Sequence, residues 1–427
     1  MRVLHVVHQY APAIGGSETL VRRIAEGVAA AGDASFVLTS TSRRVTDFLR
    51  PSGDGLPAGA FRLGGVDVRR LEFRRVPAFA RSAVDRVASA WWQRRWPGYG
   101  EVKSHWIGPH LRGLRREIRR ARPDLVVAAT TPFRPFFEAA RAAWAGGVPV
   151  ALLPCLHPGD RWLLDNPALW DALRRADAVL ALTTHEARLV TSLGVEADRV
   201  HVLGGGVDEA PPATITDVRS RFGFPADEPI VLFLGRKEEA KGIRPVVEAT
   251  RLLWSRGRAA RLVLAGARTA YSRDVLDPWL AGLPAGERAL ILVRDDVDEA
   301  EKWGWLSACA LLAHPSAVES FGLVYLEAWL MGKPVIGGRD GPTASLVRHE
   351  VDGLLVGHGD VGEIAGAIER LLADPERARQ LGASGREAVR RNHTWPRVVD
   401  RARAFHHSAV ARHHAERPAQ RGRRHPR

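Results

Sequence analysis

Two pairs of charged residues stand out by type and spacing. The first is Arg236 and Lys241, in Gly235-Arg236-Lys237-Glu238-Glu239-Ala240-Lys241-Gly242, which follows the apolar run Ile230–Leu234. With that run as a strand and a helix after it, Arg236 lies at the strand end and Lys241 near the helix start, so both cations can converge on one anion. A planar, multi-donor guanidinium beside a compact ammonium suits a diphosphate that no metal neutralises. A helix N-terminus adds free amides and partial positive charge. The second pair is Glu319 and Glu327, in Glu319-Ser320-Phe321-Gly322-Leu323-Val324-Tyr325-Leu326-Glu327. A helix beginning near Gly322 leaves Glu319 in the loop before it and puts Glu327 in its second turn. Glu319 can then face a sugar and Glu327 accept hydrogen bonds from a ribose, while the amides of Gly322, Leu323 and Val324 point at phosphates. Each pair also has a plainer account. The cations could belong to a solvated loop of mixed charge, and the acids could be a helix cap and an ordinary helix residue.

The elements that would position these residues are legible as a repeated pattern. Val3–Val7, Ser35–Thr39, Asp124–Ala128, Val148–Pro154 and Ala178–Leu182 read as buried parallel strands separated by helix-length amphipathic segments. Ser17–Ala31, for example, carries Leu20, Val21, Ile24, Ala25 and Val28 on one helical face. A second series follows Pro211-Pro212: Ile230–Leu234, Arg261–Ala265, Ala289–Val293, Ala310–Ala313, Lys333–Gly337 and Gly353–Val356. Such alternation predicts α/β architecture with two doubly wound, Rossmann-like domains, each binding ligand at its strands' carboxyl ends. Two such sheets facing one another place a ligand in the cleft between them. The predicted boundaries are residues 1–206 for the first domain, 207–227 for a linker and 228–395 for the second. A C-terminal helix at 396–415 and a disordered basic tail at 416–427 complete the chain.

The pattern Gly-Arg-x4-Lys-Gly followed by Pro-Ser-x2-Glu-x-Phe-Gly-x4-Glu resembles the retaining GT-B glycosyltransferases of the family-four, or group 1, type. The resemblance extends through Gly332-Lys333-Pro334-Val335-Ile336-Gly337 and Asp352-Gly353-Leu354-Leu355-Val356, so it covers the second domain. It implies a nucleoside diphosphate sugar as donor, transfer to an acceptor hydroxyl with retained anomeric configuration, and front-face departure of the diphosphate without a metal or organic cofactor. By the same resemblance Arg236 and Lys241 hold the diphosphate, Glu327 the ribose and Glu319 the transferred sugar. Gly338-Arg339-Asp340-Gly341-Pro342-Thr343-Ala344-Ser345 departs from the family pattern, with Ser345 where a glutamate is usual. In the first domain the resemblance points to Gly16, in the Gly15-Gly16 turn after the first strand, as facing the diphosphate. It also points to His157, beyond the strand 148–154, as lying near the reacting centre. His8, near the end of the first strand, is a further candidate. Val293 and Arg294, at a strand end in the second domain, are placed to meet the nucleotide base through backbone groups.

Composition bounds the alternatives. The chain has 427 residues, 45% of them hydrophobic, enough for two cores. Cys155 and Cys309 are the only cysteines, so no disulfide framework or cysteine-rich metal site is expected and a cytoplasmic setting follows. Met1–His8 is too short and too broken by histidines for a signal peptide and reads as a strand. The net charge of +14 is uneven: residues 401–427 hold eight arginines against Glu416 alone, and residues 62–122 hold 16 Arg or Lys against five acids. No nucleic-acid motif accompanies this charge, which is expected to form a solvated surface. In residues 90–99, Trp91, Trp92, Trp96 and Tyr99 interleave with Arg94 and Arg95, which suits either an anionic membrane interface or a buried helix of an acceptor domain. Asp296-Val297-Asp298 mimics a metal-binding pair but reads as a helix start. A dinucleotide oxidoreductase would need Gly-x-Gly-x-x-Gly after the first strand, and Gly15-Gly16 lacks that spacing. A GT-B enzyme of other chemistry, such as a nucleotide-sugar epimerase, remains the nearest alternative. The acceptor is not legible.

Overall fold

The computed structural model describes residues 1–13, 15–48, 55–75, 86, 108–157 and 161–422. The chain forms two compact units: Met1–Gly205 together with the segment from Trp395 onward, and Gly206–Thr394.

In the first unit β1 (Arg2–Val6), β2 (Ala34–Ser40), β3 (Gly59–Leu63), β4 (Val66–Leu71), β7 (Leu125–Ala129), β8 (Val150–Leu153), β9 (Ala178–Ala181) and β10 (Val200–Val202) make one sheet. Their order is β10-β9-β8-β7-β1-β2-β4-β3. Pairing is parallel except for the edge hairpin β3–β4. β5 (Phe73–Arg74) and β6 (His110–Leu111) pair separately. Central strands such as β7, Leu-Val-Val-Ala-Ala, are buried along their whole length, as strands covered on both faces must be. The helix Gly16–Ala30 buries Leu20, Val21, Ile24, Ala25 and Val28, the face its periodicity predicts.

The second unit is an all-parallel sheet of β11 (Ile230–Leu234), β12 (Arg261–Gly266), β13 (Ile291–Asp295), β14 (Leu311–His314), β15 (Val335–Gly338) and β16 (Gly353–Val356). The order β13-β12-β11-β14-β15-β16 reverses direction between β11 and β14. That reversal is where a doubly wound sheet opens a crevice at its carboxyl ends.

Residues 207–227, expected as a linker, belong to the second unit. Thr216 donates its amide to the Ala300 carbonyl at 3.1 Å, and Phe222 of the short helix Val218–Phe222 stacks on Trp305. The last helix runs Trp395–Gly422, past the expected end at residue 415 and through most of the segment read as a disordered tail. Ion pairs hold the extra turns: Arg412 with Asp198, and Arg199 with Glu416 at 3.1 Å. The same helix seals the first unit. Val398 and Ala402 are fully buried, Val399 packs on Gly27, and Arg403 pairs with Asp33 at 3.0 Å.

Candidate active site

In the second unit the chain leaves β11 at Gly235 and β14 at His314, on the two sides of the strand-order reversal. The two exits are in close contact. A Cβ on Gly235 (φ +153°) would lie 2.9 Å from His314 Cε1, and one on Gly242 (φ +77°) would lie 2.7 Å from the Pro315 carbonyl oxygen. Ala317 donates its amide to Ala240 at 3.0 Å, which ties the two loops together. Lys241 is thereby carried to Glu319. Its Nζ donates to Glu319 Oε1 at 2.7 Å and to the Val318 carbonyl. His314 Nε2 reaches the same Oε1 at 2.9 Å. Burial alone would raise the Glu319 carboxyl, but the His314 hydrogen bond and the Lys241 charge outweigh it and hold it down at about 2. An ionised carboxylate only accepts, so His314 Nε2 carries the proton. An ammonium has three donors and Lys241 uses two here, which leaves one for an anion.

Arg236 does not join this network. Its guanidinium pairs with Glu238 at 3.1 Å and is 62% exposed. The neighbouring Lys237 is fully buried and structural, donating to the Gly266 carbonyl at 3.1 Å, to the Arg294 carbonyl at 2.8 Å and to Asp295. Val293 lies half-buried in β13, paired with Leu264. Arg294 forks onto Glu301 at 2.7 and 3.0 Å, and the donation from Lys237 already engages its carbonyl. Asp298 caps the helix Glu299–Ala308 through the Glu301 amide at 2.8 Å, and Asp296 accepts from the Arg268 amide at 3.2 Å. The acids of Asp296-Val297-Asp298 thus serve the turn, as the helix-start reading expects.

Glu327 sits in the second turn of the helix Leu323–Leu330, whose N-cap is Gly322 (φ +96°) with no side-chain cap. Tyr325 donates its amide to the Gly322 carbonyl at 3.1 Å, and the Leu323 and Val324 amides before it have no capping side chain, the usual basis of an anion site. Glu327 is largely buried and accepts from Lys302 Nζ at 2.7 Å. Burial pushes its carboxyl up, partly countered by Lys302. Lys302 meets Glu327 across 25 residues and carries no local signal, whereas His314 lies only five residues before Glu319. The stretch containing Ser345 forms the tight turn Pro342–Ser345 after β15.

In the first unit the corresponding reversal lies between β1 and β7. His8, beyond the end of β1, is buried, stacks on Phe133 at 3.8 Å between ring centroids, and meets Glu18 at 3.1 Å through Nε2. Burial would lift the Glu18 carboxyl, but the hydrogen bond with His8 holds it below its ordinary value. Gly16 is the first residue of its helix, and the Glu18 carboxylate folds back over Gly15. His157 is half-buried beyond β8. Its loop is held by a residue the sequence reading did not single out: Glu186 accepts from the Leu156 amide at 2.7 Å and the Leu182 amide at 2.6 Å. Burial pushes the Glu186 carboxyl up to about 7, only partly offset by those amides. The signal available was Thr183-x-x-Glu186, a capping-box spacing at a helix start. The aromatic–arginine segment 90–99 lies outside the described residues.

Residues 214–388 match the model of the group 1 glycosyl transferases, and residues 15–206 match that of a glycosyl transferase 4-like domain. The two matches are consecutive; the one at 15–206 spans the first unit's strands from β2 to β10 and the one at 214–388 all six strands of the second unit. The chain is a member of the group 1 glycosyl transferase family. Among curated relatives of this family, a D-inositol 3-phosphate glycosyltransferase of Xylanimonas cellulosilytica is 36% identical over 225 residues, 51% of this chain and 53% of that protein. An alpha-maltose-1-phosphate synthase of Mycolicibacterium smegmatis is 30% identical over 245 residues, 54% of this chain and 62% of that one. The matched region thus spans only about half the length of such relatives. Sucrose-phosphate synthase from Thermosynechococcus elongatus superposes with a TM-score of 0.73 at 20% identity, covering 96% of this chain and 99% of the other. Anabaena HepE, solved with UDP-glucose, gives 0.67 at 18%, covering 96% and 100%. These structures share the fold, which is GT-B. Among the described residues of this family member no helix is long and apolar enough to cross a membrane.

Proposed function

We propose that the chain transfers a glycosyl group from a nucleoside diphosphate sugar to an acceptor hydroxyl, with retention of anomeric configuration and without a metal ion. The observation that carries this reading is the cluster at the β11/β14 reversal. There the Lys241 ammonium and the uncapped amides at the start of the helix Leu323–Leu330 suit a diphosphate, the Glu319 carboxylate a sugar and Glu327 a ribose. The C1–oxygen bond to the diphosphate breaks with its electron pair leaving on phosphate. The acceptor oxygen bonds C1 on the same face, and its proton passes to the departing phosphate oxygen. Lys241, Arg236 and the helix amides stabilise the charge that develops there. In this reading Glu327 turns from Lys302 toward the ribose hydroxyls, Gly16 offers its helix-terminal amide to the diphosphate, and His157 attends the transferred sugar. Val293 and Arg294 flank the base. Anabaena HepE binds UDP-glucose, and relatives of the chain include D-inositol 3-phosphate glycosyltransferases, which supports this substrate class.

Both cysteines are buried free thiols, in keeping with a reducing, cytoplasmic setting. Peripheral contact with an anionic membrane rests on Arg94 and Arg95 among their tryptophans. It predicts vesicle co-sedimentation that fades with salt and with both arginines changed to glutamate. No sedimentation at low salt sets that contact aside.

A thermal-shift panel of nucleotides and nucleotide sugars in the presence of a chelator tests the donor reading. A ligand that binds the folded state alone raises the midpoint by an amount set by its affinity. A nucleoside diphosphate sugar is expected to raise it, and Lys241→Ala to abolish the rise. A rise that appears only on adding manganese contradicts the metal-free reading.

A further inference from the structure

The His314 side chain is 2% exposed, its Nε2 is committed to Glu319, and its Nδ1 has no hydrogen-bond partner. The ring is fixed on every side. Phe233 and Tyr325 lie 5.1 and 5.7 Å away between centroids, Gly235 is pressed against Cε1, and the Tyr325 hydroxyl donates to the His314 carbonyl. A buried nitrogen without a partner disfavours folding, and a leucine of similar size would remove that penalty. What histidine supplies in exchange is one directed N–H aimed at Glu319.

That N–H and the Lys241 ammonium both land on Oε1. Among the described residues Oε2 takes no hydrogen bond. A carboxylate held by two donors on one oxygen can neither rotate nor exchange its oxygens without breaking both bonds. We infer that His314 is a positioning residue for the donor sugar: with Lys241 it saturates Glu319 Oε1 and fixes Oε2 as the oxygen that receives a sugar hydroxyl. The inference rests on the proposed placement of Glu319 against the transferred sugar and adds the residue that sets its orientation. Because Nε2 is engaged and the ring is buried, His314 acts through Glu319 and does not touch the donor.

The test is a double-mutant cycle read as binding, by calorimetry with UDP against UDP-glucose and with GDP against GDP-mannose. The bare nucleotide measures the diphosphate and ribose contacts, and the ratio of the two affinities measures the sugar contact. His314→Leu is expected to leave the bare nucleotide's affinity unchanged and to weaken the sugar nucleotide roughly tenfold, the scale of one charge-assisted hydrogen bond. Glu319→Gln should do the same, and the double variant should be no worse than either single, because both remove one contact. His314→Gln, whose amide can donate in place of Nε2, should recover most of the loss. Nucleotide and sugar nucleotide weakening together in both His314 variants would show a packing role alone and overturn the inference. Additive losses in the double variant would overturn it as well, since His314 would then act apart from Glu319. If Glu319→Gln leaves the ratio unchanged, or the wild type binds neither pair, the donor-sugar reading fails first and this inference falls with it.

Discussion

At the scale of single residues the two acids of the second unit are made different by their neighbours. Glu319 is held ionised by His314 and Lys241, while burial pushes the Glu327 carboxyl up and Lys302 only partly counters it. The account therefore separates their roles. Glu327→Ala should weaken a bare nucleoside diphosphate about tenfold or more, the scale of a hydrogen bond to a charged group. Equal nucleotide affinity in a folded Glu327→Ala protein contradicts the ribose assignment. In the first unit Glu186 gives a pH signature. Its carboxyl is raised from an ordinary 4.5 to about 7, so the folded state favours the protonated form. The stability this contributes is complete below about 4.5 and is lost as pH rises through about 7, by up to roughly 1.4 kcal/mol per pH unit of that window. Melting curves of wild type and Glu186→Gln should therefore shift against each other, the variant gaining on the wild type between pH 5 and 8. A constant gap contradicts the assignment. Neither Glu186 nor His314 stood out in the sequence: the Leu156 amide that Glu186 accepts lies 30 residues earlier, and the turn that brings Glu319 back onto His314, five residues before it, carries no periodic pattern. The placement of Lys241 and Glu319 in loops after strands and of Glu327 in a helix's second turn was legible, because the flanking apolar runs fix those elements.

At the scale of elements the buried parallel strands read most cleanly. Ile230–Leu234 and Gly353–Val356 have the bounds their apolar runs predict, since both faces of each strand are covered and every residue carries the signal. The edge hairpin of Gly59–Leu63 and Val66–Leu71 escaped the reading. Its outer strand is largely exposed and carries too few apolar residues, although Gly64-Gly65 between two short runs is a hairpin signal in itself. The cation pair shows the limit from the other side. Strand end and helix start were read correctly, yet Arg236 turns to Glu238 and only Lys241 reaches Glu319. What brings the Lys241 and Glu319 loops together is the absence of side chains at Gly235 and Gly242. Gly235→Ala places a Cβ against the His314 ring at a backbone angle that L-residues rarely adopt. It should cost about 1–3 kcal/mol in strain and a similar amount in overpacking. Denaturant unfolding of the free protein reads the stability loss, and calorimetry reads the accompanying loss of discrimination between UDP-glucose and UDP. An unperturbed Gly235→Ala protein would mean that the β11 and β14 exits are not coupled.

At the scale of the whole molecule, each unit has its own core and its own strand-order reversal. In each, polar side chains collect at the reversal: His8 and Glu18 in one, Lys241, His314 and Glu319 in the other. The last helix returns to the first unit through buried contacts, among them an edge-on pair of His5 and His406. Its apolar face was readable from the sequence, but its destination was not, because helical periodicity says that a face is buried and not against what. The central claim is that such a chain performs retaining transfer using its own cations. The most direct measurement follows the product sugar by proton NMR as it is first released or transferred from an α-linked donor such as UDP-glucose, in the presence of a chelator. The account predicts the α-anomer first, formed without added metal and lost in Lys241→Ala. A β-anomer appearing first, or turnover only after manganese is restored, would contradict it.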